Sequence, residues 1–259
     1  MPTVEQVFEA NREKEKETLI GYFPAGFPSV SASIEACVAL CRNGVDILEI
    51  GIPYSDPVMD GPVIQEATEL AIQNGFRLRE IFDVVQGVTA QVETPILVMS
   101  YWNPVLSYGV ERFAAELASS GAKGLITPDL IVDEAAEWLE SSSRHQLDRI
   151  FLATPSSTQD RVDRITSNSS GFVYAVSTMG ITGARKDLDI NARNVVGKVR
   201  ASSTARFTAV GIGISTRSQV VEVNEYSDGA IVGSAFVKAY QTGGIDKLIS
   251  TARDLSGQP

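Results

Sequence analysis

The sequence predicts a single α/β domain, residues 1–259, folded as a (β/α)8 TIM barrel. Three observations predict it. Eight short apolar runs have the length and composition of buried parallel strands. Helical periodicity fills the gaps between them. No linker-like or low-complexity stretch interrupts the series. An open doubly wound sheet is the runner-up. The first strand, however, runs into Pro24-Ala25-Gly26-Phe27-Pro28 and lacks the G-x-G-x-x-G turn of dinucleotide folds.

The expected elements follow in chain order. An amphipathic extra helix spans Val4–Lys14 and precedes a first strand, Thr18–Phe23. A helix at Ser31–Arg42 puts Ile34, Cys37, Val38 and Cys41 on one face. The second strand, Val45–Ile50, is followed by two helical patterns, Val63–Gln73 and Leu78–Thr89, so the second unit carries an extra helix. Then come the strand Pro95–Ser100 with helix Val110–Ser119, and the strand Gly124–Ile126 with helix Asp133–Ser142. The strand Arg149–Ala153 pairs with helix Gln159–Thr166, and Phe172–Val176 with Ala192–Arg200. The strand Arg206–Val210 pairs with Arg217–Tyr226. The last strand, Gly229–Val232, is followed by a short helix at Ala235–Tyr240 and a longer one at Ile245–Leu255, so the eighth unit is also extended.

A chain of 259 residues with 44% hydrophobic and 21% charged residues builds a large core. Its net charge of −10 argues against a nucleic-acid or anionic-membrane surface. No apolar stretch approaches the ~20 residues of a membrane span. The N-terminal segment Asn11-Arg12-Glu13-Lys14-Glu15-Lys16-Glu17 is a charge run of a solvated helix and no signal peptide. The two cysteines, Cys37 and Cys41, read as buried free thiols, and the lone His145 as a solvated loop residue. A cytoplasmic protein without a metal is expected.

The most informative segment is Glu49-Ile50-Gly51-Ile52-Pro53-Tyr54-Ser55-Asp56-Pro57-Val58-Met59-Asp60-Gly61-Pro62. Three carboxylates sit at or beyond the C-terminal end of one strand, the rim where barrels do chemistry. Glu49 is either a rim carboxylate reaching solvent or a general acid–base raised towards neutral pH by burial. Asp60 precedes Gly61-Pro62 and a helix, so it reads equally as a cap and as a catalytic group. Asp56 in Ser55-Asp56-Pro57 reads as an Asx-turn. Glycine-containing turns end the late strands at Thr182-Gly183, Gly211-Ile212-Gly213 and Gly233-Ser234, the last directly before a helix. Such turns favour a phosphate held by backbone N–H groups. The segment Ser177–Asp189 is long for a βα loop and reads as a lid or a surface loop. Tyr22, Phe23 and Tyr174 line an aromatic cavity or pack in the core.

These residues, with Tyr101-Trp102-Asn103-Pro104, Ala153-Thr154-Pro155-Ser156-Ser157 and Gly180-Ile181-Thr182-Gly183, resemble the signature of the tryptophan synthase alpha subunit family over nearly the whole chain. The resemblance implies retro-aldol cleavage of indole-3-glycerol phosphate to indole and glyceraldehyde 3-phosphate, with no cofactor in this chain. It implies Glu49 as proton shuttle and Asp60 as the carboxylate facing the indole nitrogen. By the same resemblance, Tyr22, Leu125, Tyr174 and Thr182 border the substrate, and Gly183, Gly213, Gly233 and Ser234 hold its phosphate. Pro53 and Asp56 face a beta subunit, which carries pyridoxal phosphate, in an alpha2-beta2 assembly. Thr182 closes onto Asp60. Met59, Trp102 and Thr178 depart from the residues frequent in that family. A free-standing indole-releasing lyase and a non-catalytic regulatory subunit are the competing expectations.

Overall fold

The computed structural model describes residues 1–176, 185–204, 206–211 and 213–258, and the backbone alone for 185–189. Its strands are β1 (Leu19–Pro24), β2 (Ile47–Gly51), β3 (Ile96–Met99), β4 (Gly124–Ile126), β5 (Asp148–Ile150), β6 (Leu152–Ala153), β7 (Val173–Val176), β8 (Thr208–Gly211) and β9 (Gly229–Val232). All pairings are parallel, in the order β5-β4-β3-β2-β1-β9-β8-β7-β6. The two ends of that order, β5 and β6, are consecutive in the chain and separated only by Phe151. They are the two halves of the fifth expected strand, so the sheet closes on itself as a ring of eight staves.

Side chains alternate across that ring. Ile20, Ile47, Leu97, Ile126, Ile150, Phe172, Ala209 and Ile231 fill the barrel, together with Val4 and Phe8 of α1 (Val4–Glu13). Thr3 starts α1 with a capping box, and its apolar face plugs the N-terminal end of the barrel. Phe8 stacks on Phe207 with ring centroids 4.9 Å apart and meets Phe172 edge-on at 5.9 Å. Burying that ring contributes roughly 2–3 kcal/mol. Leu19, Phe23, Leu48, Ile50, Val98, Val173 and Val210 point the other way and pack under the helices.

The remaining helices are α2 (Val30–Arg42), α3 (Pro62–Gln73), α4 (Glu80–Thr89), α5 (Trp102–Tyr108), α6 (Val110–Ser119), α7 (Ala136–Arg144), α8 (Gln159–Asn168), α9 (Arg185–Arg200), α10 (Arg217–Tyr226) and α11 (Ser234–Ser256). The extra helix of the second unit is present. In the eighth unit α11 contains the two expected helices, divided where Gly243 and Gly244 leave helical geometry. The third unit carries a helix the sequence reading missed, α5, whose Pro104 sits in the first turn, where a missing N–H costs nothing. The expected helix at Asp133–Ser142 instead begins as a 3-10 turn, Val132–Glu134, and continues as α7. α9 starts seven residues before the expected Ala192 and takes in Arg185–Asp189, the last part of the expected lid; that stretch holds no Gly or Pro to stop a helix. The rest of that segment, Ser177–Ala184, lies outside the described residues.

The charge run after α1 is tied down, through Arg12–Asp228, Lys16–Asp46 and Arg217–Glu17 ion pairs. His145 is no solvated loop residue. Its ring, 23% exposed, lies 2.9 Å from Glu111, and with Arg144 it holds that carboxyl far down, at about 2. Cys37 is buried and Cys41 half-buried, both free. No helix among the described residues is long and apolar enough to cross a membrane.

Candidate active site

At the C-terminal end of the barrel a cavity of about 440 Å³ opens over the last inward-facing residues of the strands. Its floor and walls include Tyr22 from β1, Glu49 from β2, Met99 from β3, Tyr174 from β7, Gly211 from β8 and Ile231 from β9. The strand period decides this lining. On β2 Ile47 points into the barrel, so Glu49, two residues on, does so too, one layer nearer the rim.

Glu49 is 1% exposed, and its Oε1 has no hydrogen-bond partner in the protein. Burial alone lifts its carboxyl from 4.5 to about 8. A buried carboxyl without a partner is costly in its charged form, so it stays protonated at neutral pH.

Asp60 enters the cavity from the loop between β2 and α3, and burial raises it from 3.8 to about 6. The Tyr101 hydroxyl beside it opposes that rise. The capping reading of Asp60 fails. Gly61 is the N-cap of α3 and Pro62 its first residue, and no side chain caps the helix. The loop is held by other bonds. Met59 N–H donates to the Tyr101 hydroxyl at 2.9 Å, and Gln65 Nε2 donates to the Asp60 carbonyl at 2.8 Å.

Tyr22 and Tyr174 reach the cavity because glycines give way to them. A Cβ on Gly51 would stand 2.2 Å from the Tyr22 hydroxyl, and one on Gly211 would stand 2.5 Å from that of Tyr174. Both phenols are pushed well up by burial and then by the nearby Asp60 and Glu49, so they remain protonated donors.

Two of the expected phosphate turns border the same cavity, at Gly213 and at Gly233-Ser234. Gly213 has φ +70°, a conformation that favours glycine. Gly233 is the N-cap of α11 without a side-chain cap, so the first N–H groups of that helix face the opening. A Cβ at Gly233 would press on the Tyr22 ring at 3.2 Å and on Ile64 at 3.4 Å. Thr182 and Gly183 lie outside the described residues.

Leu125 requires a correction. It is fully buried, but it packs in the layer between sheet and helices and does not line the cavity. On β4 the inward position belongs to its neighbour Ile126. A shift of one residue exchanges the faces of a strand. Pro53 is likewise buried within the chain, whereas Asp56 is exposed and accepts a 2.6 Å hydrogen bond from Ser55. The exposed surface of that loop is therefore Ser55, Asp56 and Val58, the last 80% exposed.

Ile64, Gln65, Met99, Pro128, Leu152, Val176, Ile214 and Ile231 also line the cavity and were not singled out from sequence, whereas Met59, which the sequence marked only as an unusual residue, lines it too. Met99, Leu152 and Ile231 were accessible in principle by counting in twos along each strand. Pro128, Ile64 and Tyr101 come from loops and helices, whose approach to Asp60 no local pattern encodes. Among the described residues no group of three His, Cys, Asp or Glu side chains forms a metal site, and the cavity lining holds no Lys, Arg or His.

The sequence model of the tryptophan synthase alpha chain family matches residues 8–255. The chain is 57% identical over 238 residues to the tryptophan synthase alpha chain of Leifsonia xyli subsp. xyli, covering 92% of this chain and 91% of that one. It is 49% identical over 250 residues to the corresponding chain of Mycobacterium avium, covering 96% and 92%. Among solved structures it superposes on Mycobacterium tuberculosis tryptophan synthase with a TM-score of 0.92, at 47% identity over 98% of this chain and 96% of that one. A mutant alpha subunit from Pyrococcus furiosus gives a TM-score of 0.84 at 35% identity, over 93% and 98% of the two chains.

Proposed function

This chain belongs to the tryptophan synthase alpha chain family, and from that premise we propose that Glu49 and Asp60 divide the chemistry of its reaction. The chain is the alpha subunit of tryptophan synthase. It is a carbon–carbon lyase that cleaves indole-3-glycerol phosphate to indole and glyceraldehyde 3-phosphate, and it works with a beta subunit. By our reading the assembly is alpha2-beta2 and cytoplasmic, pyridoxal phosphate resides in the beta subunit, and this chain supplies no cofactor to the cleavage.

One observation carries the division of roles: two carboxyls in one cavity, one raised to about 8 and the other to about 6. Between those values Glu49 is protonated and Asp60 ionised. Neutral Glu49 gives its proton to indole C3. The positive charge that develops at the indole nitrogen falls to the Asp60 carboxylate, whose attraction is strengthened by its burial. Glu49, now ionised, takes the proton of the adjacent glycerol hydroxyl. The carbon–carbon bond breaks as that oxygen becomes a carbonyl, and its electrons restore the indole ring. Glu49 ends protonated again, so a single carboxyl serves as acid and then base. Tyr22, Tyr174, Met99 and Ile231 surround the aromatic ring. Gly213, Gly233 and Ser234 receive the phosphate, and Thr182 and Gly183 are assigned to the same ligand. Asp56 and the exposed Val58 belong to the surface turned to the beta subunit, with Pro53 shaping that loop from within.

The test is indole release from indole-3-glycerol phosphate across pH, with and without the beta subunit. A profile of kcat/KM that rises through about pH 6 and falls above about pH 8 is expected. A flat profile over that range contradicts the assigned protonation states. Release that ignores the beta subunit marks a free-standing lyase, and no release under either condition marks a binding subunit.

Gly233→Val tests the phosphate assignment. The added side chain presses on Tyr22 and Ile64 and stands in front of the α11 N-terminus. Overpacking of this kind costs about 1–3 kcal/mol, so affinity for glyceraldehyde 3-phosphate is expected to fall about tenfold or more. Unchanged affinity in a calorimetric titration moves the phosphate elsewhere.

A further inference from the structure

Tyr101 lies just beyond β3, and it is held on every side. Its ring packs against Tyr54 with centroids 5.2 Å apart. Its carbonyl accepts from Ser100 Oγ at 2.8 Å. The next amide, Trp102 N–H, donates to Asp129 at 2.8 Å, which anchors the β3 loop to the β4 loop. The residue is 5% exposed. Its hydroxyl accepts from the Met59 amide, 2.9 Å away on the loop that carries Asp60, and lies beside the Asp60 carboxyl.

A phenol carries one proton. The Met59 N–H donates to the Tyr101 oxygen, and the phenol proton is thereby left for the Asp60 carboxylate. We infer that Tyr101 is a positioning residue for the cleavage: it aims the Asp60 carboxylate into the cavity and favours its ionised form through that proton. The inference rests on the role given to Asp60 above and adds the residue that sets it.

Tyr101 is suited to the task because it does not lose the proton itself. Burial first, and then the charge of Asp60, push its own ionisation far above the working range. The other titratable groups near Asp60 are Tyr22 and Tyr174, both kept protonated, and Glu49; Asp129 stands on the far side of Tyr101. No cation lines the described part of the cavity, so a neutral donor does what an Arg or Lys does elsewhere. Tyr101 also ties together loops of three successive strands, because Met59, Tyr101 and Asp129 follow β2, β3 and β4 in turn. Sequence spacing conceals this link, which joins residues 42 positions apart.

The experiment is the pH profile of kcat/KM for indole release by the full chain with its beta subunit, for two replacements of Tyr101. Tyr101→Phe removes the proton and keeps the ring. Its acid limb is expected to move up by about one to two pH units, the size of a hydrogen bond to a charged group, with KM changing less than kcat. Site-specific 3-fluorotyrosine at position 101 keeps the fold and the geometry but donates more strongly. Its acid limb is expected to move down. A limb that stays in place with fluorotyrosine overturns the inference, whether or not the phenylalanine variant folds. Asp60→Asn separates the two layers of the argument. If that variant still cleaves with the same acid limb, the role of Asp60 falls and this inference with it. If it does not cleave, and both Tyr101 replacements leave the limb unmoved, only the assignment of Tyr101 falls.

Discussion

Glu49→Gln is expected to reduce indole release by about 10²–10⁴-fold, the usual worth of a positioned acid–base, while ligand affinity changes by no more than about threefold. Glutamine matches the shape of the protonated carboxyl, which is the form the buried site selects at neutral pH. It neither gives nor takes a proton. Near-native turnover in a single-turnover assay removes Glu49 from the chemistry. The same variant gives an independent reading from stability. The Glu49 carboxyl ionises at about 8 in the folded chain and at an ordinary 4.5 otherwise. The folded state therefore binds the proton more tightly, and the stability from this group is complete below about 4.5. It is lost as pH rises towards about 8, because the unfolded chain ionises first. Glutamine does not titrate, so the variant is expected to melt higher than the parent at pH 8.5 by a margin that shrinks towards pH 5. At 1.36 kcal/mol per pH unit the gain is on the order of 4–5 kcal/mol at most. Equal melting temperatures at pH 8.5 show that Glu49 is not held as a protonated, unpartnered group.

Asp60→Asn is expected to lower kcat/KM by about 10²–10³-fold, the loss typical of one preorganised charge-stabilising group. Its melting temperature is expected to be unchanged or slightly higher. A cap would behave in the opposite way, because losing an N-cap side chain costs about 1 kcal/mol of stability and leaves chemistry alone. The structure argues against the cap. Gly61 occupies the cap position, and the Asp60 side chain turns instead towards Tyr101 and the cavity. Asparagine keeps an acceptor for the Tyr101 proton, so the loop stays in place and only the charge is lost. The acid limb near pH 6 should vanish from whatever activity remains. A variant that loses only thermal stability returns Asp60 to the status of a helix-start residue.

Much of this was legible in the chain. The eight strands fall where the apolar runs placed them, because a fully buried strand needs apolar residues on both faces and leaves a continuous signal. The helices of the second and eighth units were visible for the same kind of reason, since their apolar faces repeat every three to four residues. Glu49 stood out as a carboxylate at the end of an apolar run. The misreadings were equally physical. Leu125 was assigned to the substrate on the resemblance alone, and it faces the helices because the register of β4, set by the pairing Leu125↔Arg149 and its neighbours, turns Ile126 inward. α5 was missed because a seven-residue helix that opens with aromatic, amide and proline residues has no sustained period. His145 was read as solvated because the polar residues beside it give no hint of Glu111, 34 positions away.

What the sequence by itself determined is the architecture and the inventory of chemistry: a parallel barrel, its count of units, a carboxylate-rich rim and glycine turns suited to an anion. Local period and composition carry that information, since backbone pairing and burial impose it on each segment separately. What only the tertiary structure decided is the state of each group. Glu49 is an acid at neutral pH because surrounding strands remove it from water and supply it no partner. Asp60 lines the cavity and is not a cap because Gly61 takes the cap position and the loop is tied to Tyr101, from another unit. Charge, orientation and proton affinity depend on neighbours that the fold alone brings together, and those neighbours are distant in the chain.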